Sequence, residues 1–470
     1  MEEPSRVRAS FQASVQAEPA TASPGLRRRL IIGGALVVVA AVVVAVGVAV
    51  AGGPSEKPAP ARAVEHYSGP AGATTTPSAA RTTRDNSPSG WVQEALNKGA
   101  DALVKGDEAG WMALADPGKP QVRAYFRDLY TSLRGLGVSH LEFQTLIPKP
   151  VNREGTWEED FYLLYCFSMS SCPGFKYLNP GKPGAPMITH ALTLKKAGPG
   201  DYRVVKVGRA KMARENWSST PWQVSSLKVL KGKRVAVAAS VGNTRRSKEV
   251  LAAAERAAVG ADRYAGLVGN PQTRYRVYMA TDKEWRTWFG GHSGDWAIGY
   301  TTFPQDVLSE IVLRMSRAGS GRSLENLIRH EMGHAVTLGG LQLGYQSIAN
   351  PAMWLQEGVA EYIAYAPRPA RSTTRLPEVR RALTGGDRPS SIVLGQLKDN
   401  ASRNESSVYY GLSHFAVDCL AKKFGEKKLF AFVTEVLRKN DGVDDSSVKV
   451  FGTPFRPIDQ ACRTWIRQQV

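Results

Sequence analysis

The longest feature of the hydrophobic pattern is one unbroken apolar run. Residues 30–51 are all Leu, Ile, Val, Ala or Gly, and 22 such residues can span a bilayer as a helix. Apolar cores of signal peptides are shorter, at about 7–15 residues, so a retained membrane helix is favoured, although Ala49 and Ala51 also fit a cleavage site. Three arginines precede the run, which predicts a cytoplasmic tail over residues 1–29 and an extracellular remainder, anchored in the cell membrane by a single pass.

The pattern changes twice after the apolar run. Residues 52–90 are rich in Pro, Ala, Ser, Thr and Gly without an apolar period, which predicts a flexible linker. A helical period then gives way to alternating runs that predict strands over residues 139–146, 160–169, 187–195 and 201–207. Helices followed by long strands resemble the NTF2-like cone fold, so we expect a small α+β domain of that type over residues 91–215. No residue there identifies a ligand.

A second α+β domain is expected over residues 222–470. The apolar pattern predicts strands at 234–239, 274–280 and 310–315, with a helix at 247–259 between the first two. Beyond about residue 365 the pattern is mostly helical. The predicted order is therefore strands first and helices afterwards.

Residues 330–334 read His-Glu-Met-Gly-His, inside a predicted helix that starts after Ser323 as N-cap and stops at Gly339 and Gly340. Residues four apart share a helix face, so His330 and His334 can reach one cation. Neutral imidazoles suit Zn²⁺, and the adjacent carboxylate of Glu331 can accept a proton from an activated water. The H-E-x-x-H pattern is typical of zinc peptidases. Two solvated histidines on a surface helix are the simpler alternative.

A catalytic zinc site needs a third protein ligand. The spacing that supplies a third histidine in metzincins is excluded, because Thr337 and Gly340 occupy the corresponding positions. A helix predicted over residues 350–365, with Asn350 as its cap, places Glu357 and Glu361 on one face. A solvated acidic pair would repel at this spacing and would sit among apolar neighbours.

The HEMGH segment followed by WLQEGVAEY resembles the gluzincin clan of zinc metallopeptidases, in particular its peptidase MA-like families. The resemblance implies a zincin-like, thermolysin-type fold for residues 222–470 and one Zn²⁺ per chain. It implies that Glu357 is the third ligand and that Glu361 hydrogen-bonds a ligand histidine, His330. It also implies that the strand at 310–315 is an edge strand that pairs with the substrate backbone.

A donor for the developing oxyanion is expected near residues 409–420. Gluzincins of this type have a tyrosine at the start of a similar helix, and Tyr410 matches that place best, with Tyr409 one residue out of register. A tyrosine at a helix start can also serve packing alone. His414, one turn further, is interpreted as a packed or solvated histidine.

Four cysteines follow the apolar run, on the side where disulfides persist. The pairing Cys166–Cys172 closes a short loop, and Cys419–Cys462 ties the end of the chain to the Tyr410 helix. A cysteine zinc site is disfavoured because no C-x-x-C spacing occurs.

The formal net charge is +19, most of it beyond residue 90. A basic extracellular domain would be attracted to an anionic envelope surface of lipid or wall polymer, whereas nucleic acid is not an expected partner there. Solvated arginines spread over the whole surface are the alternative. The sequence indicates no oligomeric state.

These observations predict a membrane-anchored, extracytoplasmic zinc metallopeptidase that hydrolyses a peptide or protein substrate, with Glu331 as general base and Tyr410 as oxyanion donor. Endopeptidase activity is favoured, because the G-x-M-E-N signature of the aminopeptidase branch does not occur between residues 295 and 316. The alternative is a catalytically inactive, peptidase-like binding or sensor module at the cell surface. The substrate is not indicated.

Overall fold

The chain has mixed helical and strand structure, which confirms the α+β prediction at this level. The computed structural model describes residues 12–14, 88–145, 155–174, 184–198, 201–208, 219–292, 294–340, 352–385 and 388–470. The predicted membrane helix at 30–51 and most of the linker lie outside these residues. No helix in the described ranges has the length and hydrophobicity that a membrane span requires.

The strands lie in the first three quarters of the chain. They are β1 (Gln12–Ser14), β2 (Val138–Gln144), β3 (Thr156–Phe167), β4 (Met187–Gly198), β5 (Asp201–Gly208), β6 (Leu227–Lys231), β7 (Val235–Ser240), β8 (Tyr275–Ala280), β9 (Gly299–Thr302) and β10 (Glu310–Arg314).

Helices surround both groups of strands and make up the described structure after residue 320. They are α1 (Pro88–Lys105), α2 (Glu108–Met112), α3 (Pro120–Leu136), α4 (Pro221–Val224), α5 (Ser247–Leu267), α6 (Asp282–Trp285), α7 (Gly321–Leu338), α8 (Met353–Tyr365), α9 (Leu376–Thr384), α10 (Arg403–Phe424), α11 (Glu426–Val433), α12 (Val443–Phe451) and α13 (Phe455–Gln469).

The larger sheet has the strand order β1-β9-β10-β8-β7-β6. Strands β7, β8 and β10 are parallel to one another, whereas β9 runs antiparallel to β10. The expectation that residues 310–315 form an edge strand is wrong, because β10 pairs with a neighbour on each side. The strand β9, which the pattern did not predict, lies between β10 and the outermost strand.

Strand β1 pairs with β9 through three residue pairs, from Gln12 opposite Thr301 to Ser14 opposite Gly299. Its residues belong to the tail that the sequence analysis places across the membrane from β9. A tail held on the far side of a bilayer could not reach β9. The pairing and the expected topology therefore exclude each other within one chain.

Alternation along the central strands gives the larger sheet two buried faces. Val237, Val277 and Ile311 lie on one face and share a core with α5, α7, α8 and α10. Tyr278 and Val312 lie on the other face. Helix α7 thus packs against a sheet on one side and against helices on the other, which fixes its position.

The smaller sheet has the order β2-β3-β4-β5 and is antiparallel throughout. Its inward side chains pack against α1 and α3, and the same core continues onto the second face of the larger sheet. Tyr165 and Phe167 of β3 lie 5.0 and 5.3 Å, ring to ring, from Trp222, which in turn contacts Tyr278. The segments expected as domains 91–215 and 222–470 therefore share a hydrophobic core.

Both expected disulfides are confirmed: Cys166 is bonded to Cys172, and Cys419 to Cys462. Two helix starts differ from the predictions. The N-cap of α7 is Ser320, three residues before Ser323. Helix α8 begins after Ala352, and Asn350 lies outside the described residues.

Candidate metal centre

Helix α7 brings two imidazoles to one point inside the protein. Leu324, Leu327 and Ile328 anchor the helix in the core, and His330 and His334 follow on the face towards α8. Neither histidine is exposed. Their Nε2 atoms are 3.1 Å apart, the approach that the spacing of four residues predicts.

Helix α8 supplies a carboxylate to the same point. Oε2 of Glu357 lies 3.3 Å from Nε2 of His330 and 3.3 Å from Nε2 of His334. These residues form the cluster among the described ones that could hold a metal ion. The close approach of the helices depends on glycine: a Cβ at Gly333 would lie 3.0 Å from the Cα of Ala360 on α8.

The geometry of this triangle fits zinc. Bonds of about 2.0–2.1 Å to nitrogen and oxygen in a tetrahedral site place neighbouring ligand atoms about 3.3–3.4 Å apart. The three observed separations match one face of such a tetrahedron. Both carboxylate oxygens of Glu357 are enclosed, and apart from the two imidazoles no described group offers them a hydrogen bond, which is costly for a buried anion unless a cation binds it.

A buried ion pair holds the outer side of His330. Its Nδ1 lies 3.0 Å from Oε1 of Glu361, and the guanidinium of Arg375 donates to both oxygens of Glu361 at 2.9 and 3.2 Å. A carboxylate this close to Nδ1 favours the proton on that nitrogen and leaves Nε2 as the lone pair, which is the form that binds a metal. The predicted contact between Glu361 and His330 is thus present, whereas Arg375 was not predicted.

The pKa shifts in the cluster all favour its charged forms. Burial alone would raise the pKa of Glu361, but Arg375 and His330 outweigh it and hold this pKa well below its ordinary value. Glu357 follows the same pattern, with both histidines opposing burial. Burial opposes a charge on His330, yet the carboxylates of Glu357 and Glu361 raise its pKa to about 9. A metal cation would supply the charge that a proton on His330 otherwise provides.

Strand β9 positions Glu331. The hydroxyl of Thr301 donates to Oε2 of Glu331 at 2.9 Å and lies equally close to its backbone oxygen. A Cβ at Gly299 would lie 2.5 Å from Oε1 of Glu331, so only glycine leaves room for the carboxylate there. The general-base candidate is therefore held by a strand that sequence reasoning missed.

Tyr410 of α10 closes the cluster opposite α7. Its ring centroid lies 5.9 Å from that of His330, and Arg375 stacks over it at 5.3 Å. Burial raises its pKa, and the carboxylates of Glu357 and Glu331 add to this effect. The hydroxyl therefore stays protonated and can donate a hydrogen bond.

Two neighbours of Tyr410 are also buried. The hydroxyl of Tyr409 is enclosed without a hydrogen-bond partner among the described residues, and burial together with the charge of Glu357 raises its pKa. His414 packs 5.7 Å from the ring of Tyr365, and burial lowers its pKa. His414 is thus a packed histidine, one of the two forms predicted.

The structure brings together all six residues proposed from the sequence. Thr301, Gly299 and Arg375 were missed because each is an isolated residue outside any recognisable motif. The one available signal for Arg375 was that a buried Glu361 needs a cationic partner.

Comparisons with known proteins add no assignment. No protein-family model matches this sequence, and no curated protein matches it significantly. The interpretation of the centre therefore depends on its chemistry.

Proposed function

We propose that this protein is a zinc-dependent peptidase of the gluzincin type, acting outside the cell membrane to which it is anchored. The observation that supports this most directly is the triangle of His330, His334 and Glu357, with Glu331 beside it. Three protein ligands and a buried carboxylate next to them are the composition of a catalytic rather than a structural zinc site.

The roles of the residues follow from their positions. When bound, Zn²⁺ supplies Lewis-acid activation of a water molecule and of a peptide carbonyl. Glu331, fixed by Thr301, accepts the proton of that water and passes it to the departing amine. The hydroxyl of Tyr410 donates a hydrogen bond to the carbonyl oxygen as negative charge develops there.

Two further features support the finer interpretation of the fold. The described strands precede α7 and helices follow it, which agrees with the order expected for a zincin-like domain over residues 222–470. Helices α1–α3 followed by the antiparallel sheet β2–β5 agree with the NTF2-like resemblance over residues 91–215. Endopeptidase activity remains favoured over aminopeptidase activity.

The membrane anchor is supported by the free energy of transferring residues 30–51 into a bilayer, not by an observed contact. Leu, Ile and Val each gain about 0.3–0.6 kcal/mol on entering a bilayer, and residues 30–51 consist mostly of Ile, Leu and Val. A three-residue strand gains little free energy by pairing at a sheet edge, because its backbone groups only exchange hydrogen bonds with water for hydrogen bonds with the neighbouring strand. We therefore propose that the anchored topology prevails over the pairing of β1 with β9. The two disulfides agree with an extracellular location.

The decisive experiment measures zinc and peptide cleavage in the same full-length preparation in detergent. We expect one zinc per chain, cleavage of members of a peptide library, and a loss of at least 1,000-fold in kcat for Glu331→Gln with zinc retained. Glu325→Gln is the control, since Glu325 lies on the same helix but pairs with Arg256 at the surface.

The outcomes separate the proposed functions. Absence of zinc contradicts the metal centre itself. Stoichiometric zinc without cleavage, and no effect of Glu331→Gln, would instead indicate the inactive binding or sensor module.

A further inference from the structure

A cleft of about 250 Å³ opens to solvent beside the first turn of α7. Its walls come from the start of α7 and from the segment that follows α8. Arg322, Ser323 and Asn326 line it from the first side, and Arg368 and Thr374 from the second. None of these residues belongs to the candidate metal centre.

The cleft carries positive charge that is not neutralised. Neither Arg322 nor Arg368 forms an ion pair with any described residue, and no carboxylate side chain lines the cleft. Glu249, which does not line the cleft, accepts a hydrogen bond from the first N–H of α7, and the guanidinium of Arg246 binds both of its oxygens. Two cations therefore face the cleft without a counter-charge inside it.

A buried polar side chain, that of Asn326, also lines the cleft. Its side chain is only 9% exposed and lines the cleft, yet it makes no hydrogen bond to the described part of the chain. A buried amide is normally hydrogen-bonded, and the amide of Asn326 lines the cleft, where a polar ligand can bond it. Asn326 also lies one turn inside an 18-residue helix whose N-cap residue, Ser320, makes no side-chain cap, although Glu249 accepts a hydrogen bond from its first N–H.

We propose that this cleft binds a phosphate group, either as the free ion or as a phosphate monoester. Two arginines, an asparagine and the hydroxyl-bearing residues Ser323 and Thr374 line it. These groups can donate more hydrogen bonds than the two oxygens of a carboxylate can accept, whereas the oxygens of phosphate match them. The proposal does not depend on the function of the metal centre.

The test uses the full-length protein in detergent at fixed salt, with three probes titrated by calorimetry or phosphorus NMR. Inorganic phosphate tests for the free ion, glycerol 3-phosphate for a soluble monoester, and vesicles containing phosphatidic acid for a lipid headgroup. We expect at least one probe to bind with Kd below 5 mM. Arg322→Gln combined with Arg368→Gln should weaken that binding at least tenfold, because each guanidinium contributes charge-assisted bonds.

Arg371→Gln is the matched control, because Arg371 is exposed nearby but does not line the cleft. It should leave the Kd within twofold of the parent value. Asn326→Asp is a second variant that places a negative charge in the cleft, and it should weaken binding at least tenfold while thermal unfolding reports on the fold. The proposal is overturned if none of the three probes binds at 10 mM, or if the double variant binds as the parent protein does.

Discussion

At the scale of single residues, the centre depends on groups that bind no metal. Arg375 neutralises Glu361, Glu361 orients His330, and Arg375 also covers the ring of Tyr410. One buried guanidinium therefore fixes both the ligand side and the proposed oxyanion side of the site.

Replacement of Arg375 by Ala should lower zinc affinity by about 10–100-fold, the usual effect of losing a group that orients a ligand histidine. Glu361 would then be buried without its cation. Competition with a fluorescent chelator measures the affinity. Arg375→Lys, which keeps the charge but loses the paired bonds, should give an intermediate value. The control is Arg381→Ala, since Arg381 forms an exposed pair with Glu378. Equal zinc affinities of the Arg375→Ala and Arg381→Ala proteins would contradict the role of Arg375 in orienting His330 through Glu361.

A second residue-scale prediction concerns Gly299. Gly299→Ala places a Cβ within 2.5 Å of Oε1 of Glu331, so the carboxylate must move. A displacement of about 1 Å at a reacting group costs on the order of 100-fold in rate. We expect kcat for peptide cleavage to fall by about this factor with zinc content unchanged. Gly266→Ala, at a position with open space around it, should have no effect on kcat. Unaltered kcat in Gly299→Ala would exclude this placement of Glu331.

At the scale of elements, the long periodic segments were predictable and the short ones were not. Helix α7 and strand β8 show a clear hydrophobic period, so the sequence located both to within a few residues. Strand β9 has only four residues and begins with glycine, too short for a period to appear. Its position depends on pairing with β10, a contact that no local pattern encodes.

The ligand set was predictable for a related reason. His330, His334, Glu357 and Glu361 lie on two helices at a spacing of four, so local geometry alone places each pair on one face. Arg375, Thr301 and Gly299 reach the site through tertiary packing. Sequence spacing carries no information about such contacts.

The disulfide between α10 and α13 is the element-scale contact with the largest expected effect on stability. Cys419 and Cys462 are 43 residues apart, against 6 for Cys166 and Cys172. Loop-closure entropy predicts a loss of about 4 kcal/mol when the longer bridge is removed and about 2 kcal/mol for the shorter one. Urea unfolding of the two double-alanine proteins under oxidising conditions measures both losses. A larger loss for the shorter bridge would contradict the entropic explanation.

At the scale of the whole molecule, a buried ion pair of the larger sheet lies where the two segments meet. Arg276 of β8 bonds Glu310 of β10 at 2.8 and 3.0 Å, and both side chains are buried. The guanidinium lies 5.1 Å from the ring of Phe167 in the smaller sheet. The pair therefore lies on the face of the larger sheet that the first segment covers, opposite the face that carries α7.

This arrangement predicts strong coupling between the two charges. Arg276→Met should destabilise the protein by about 3–5 kcal/mol, because Glu310 would remain buried without its partner. The double variant Arg276→Met/Glu310→Leu should lose less than either single variant, since neither charge is then left unpaired. Chemical unfolding of all four proteins completes the cycle. If the two losses simply add, the two charges are not coupled across the larger sheet.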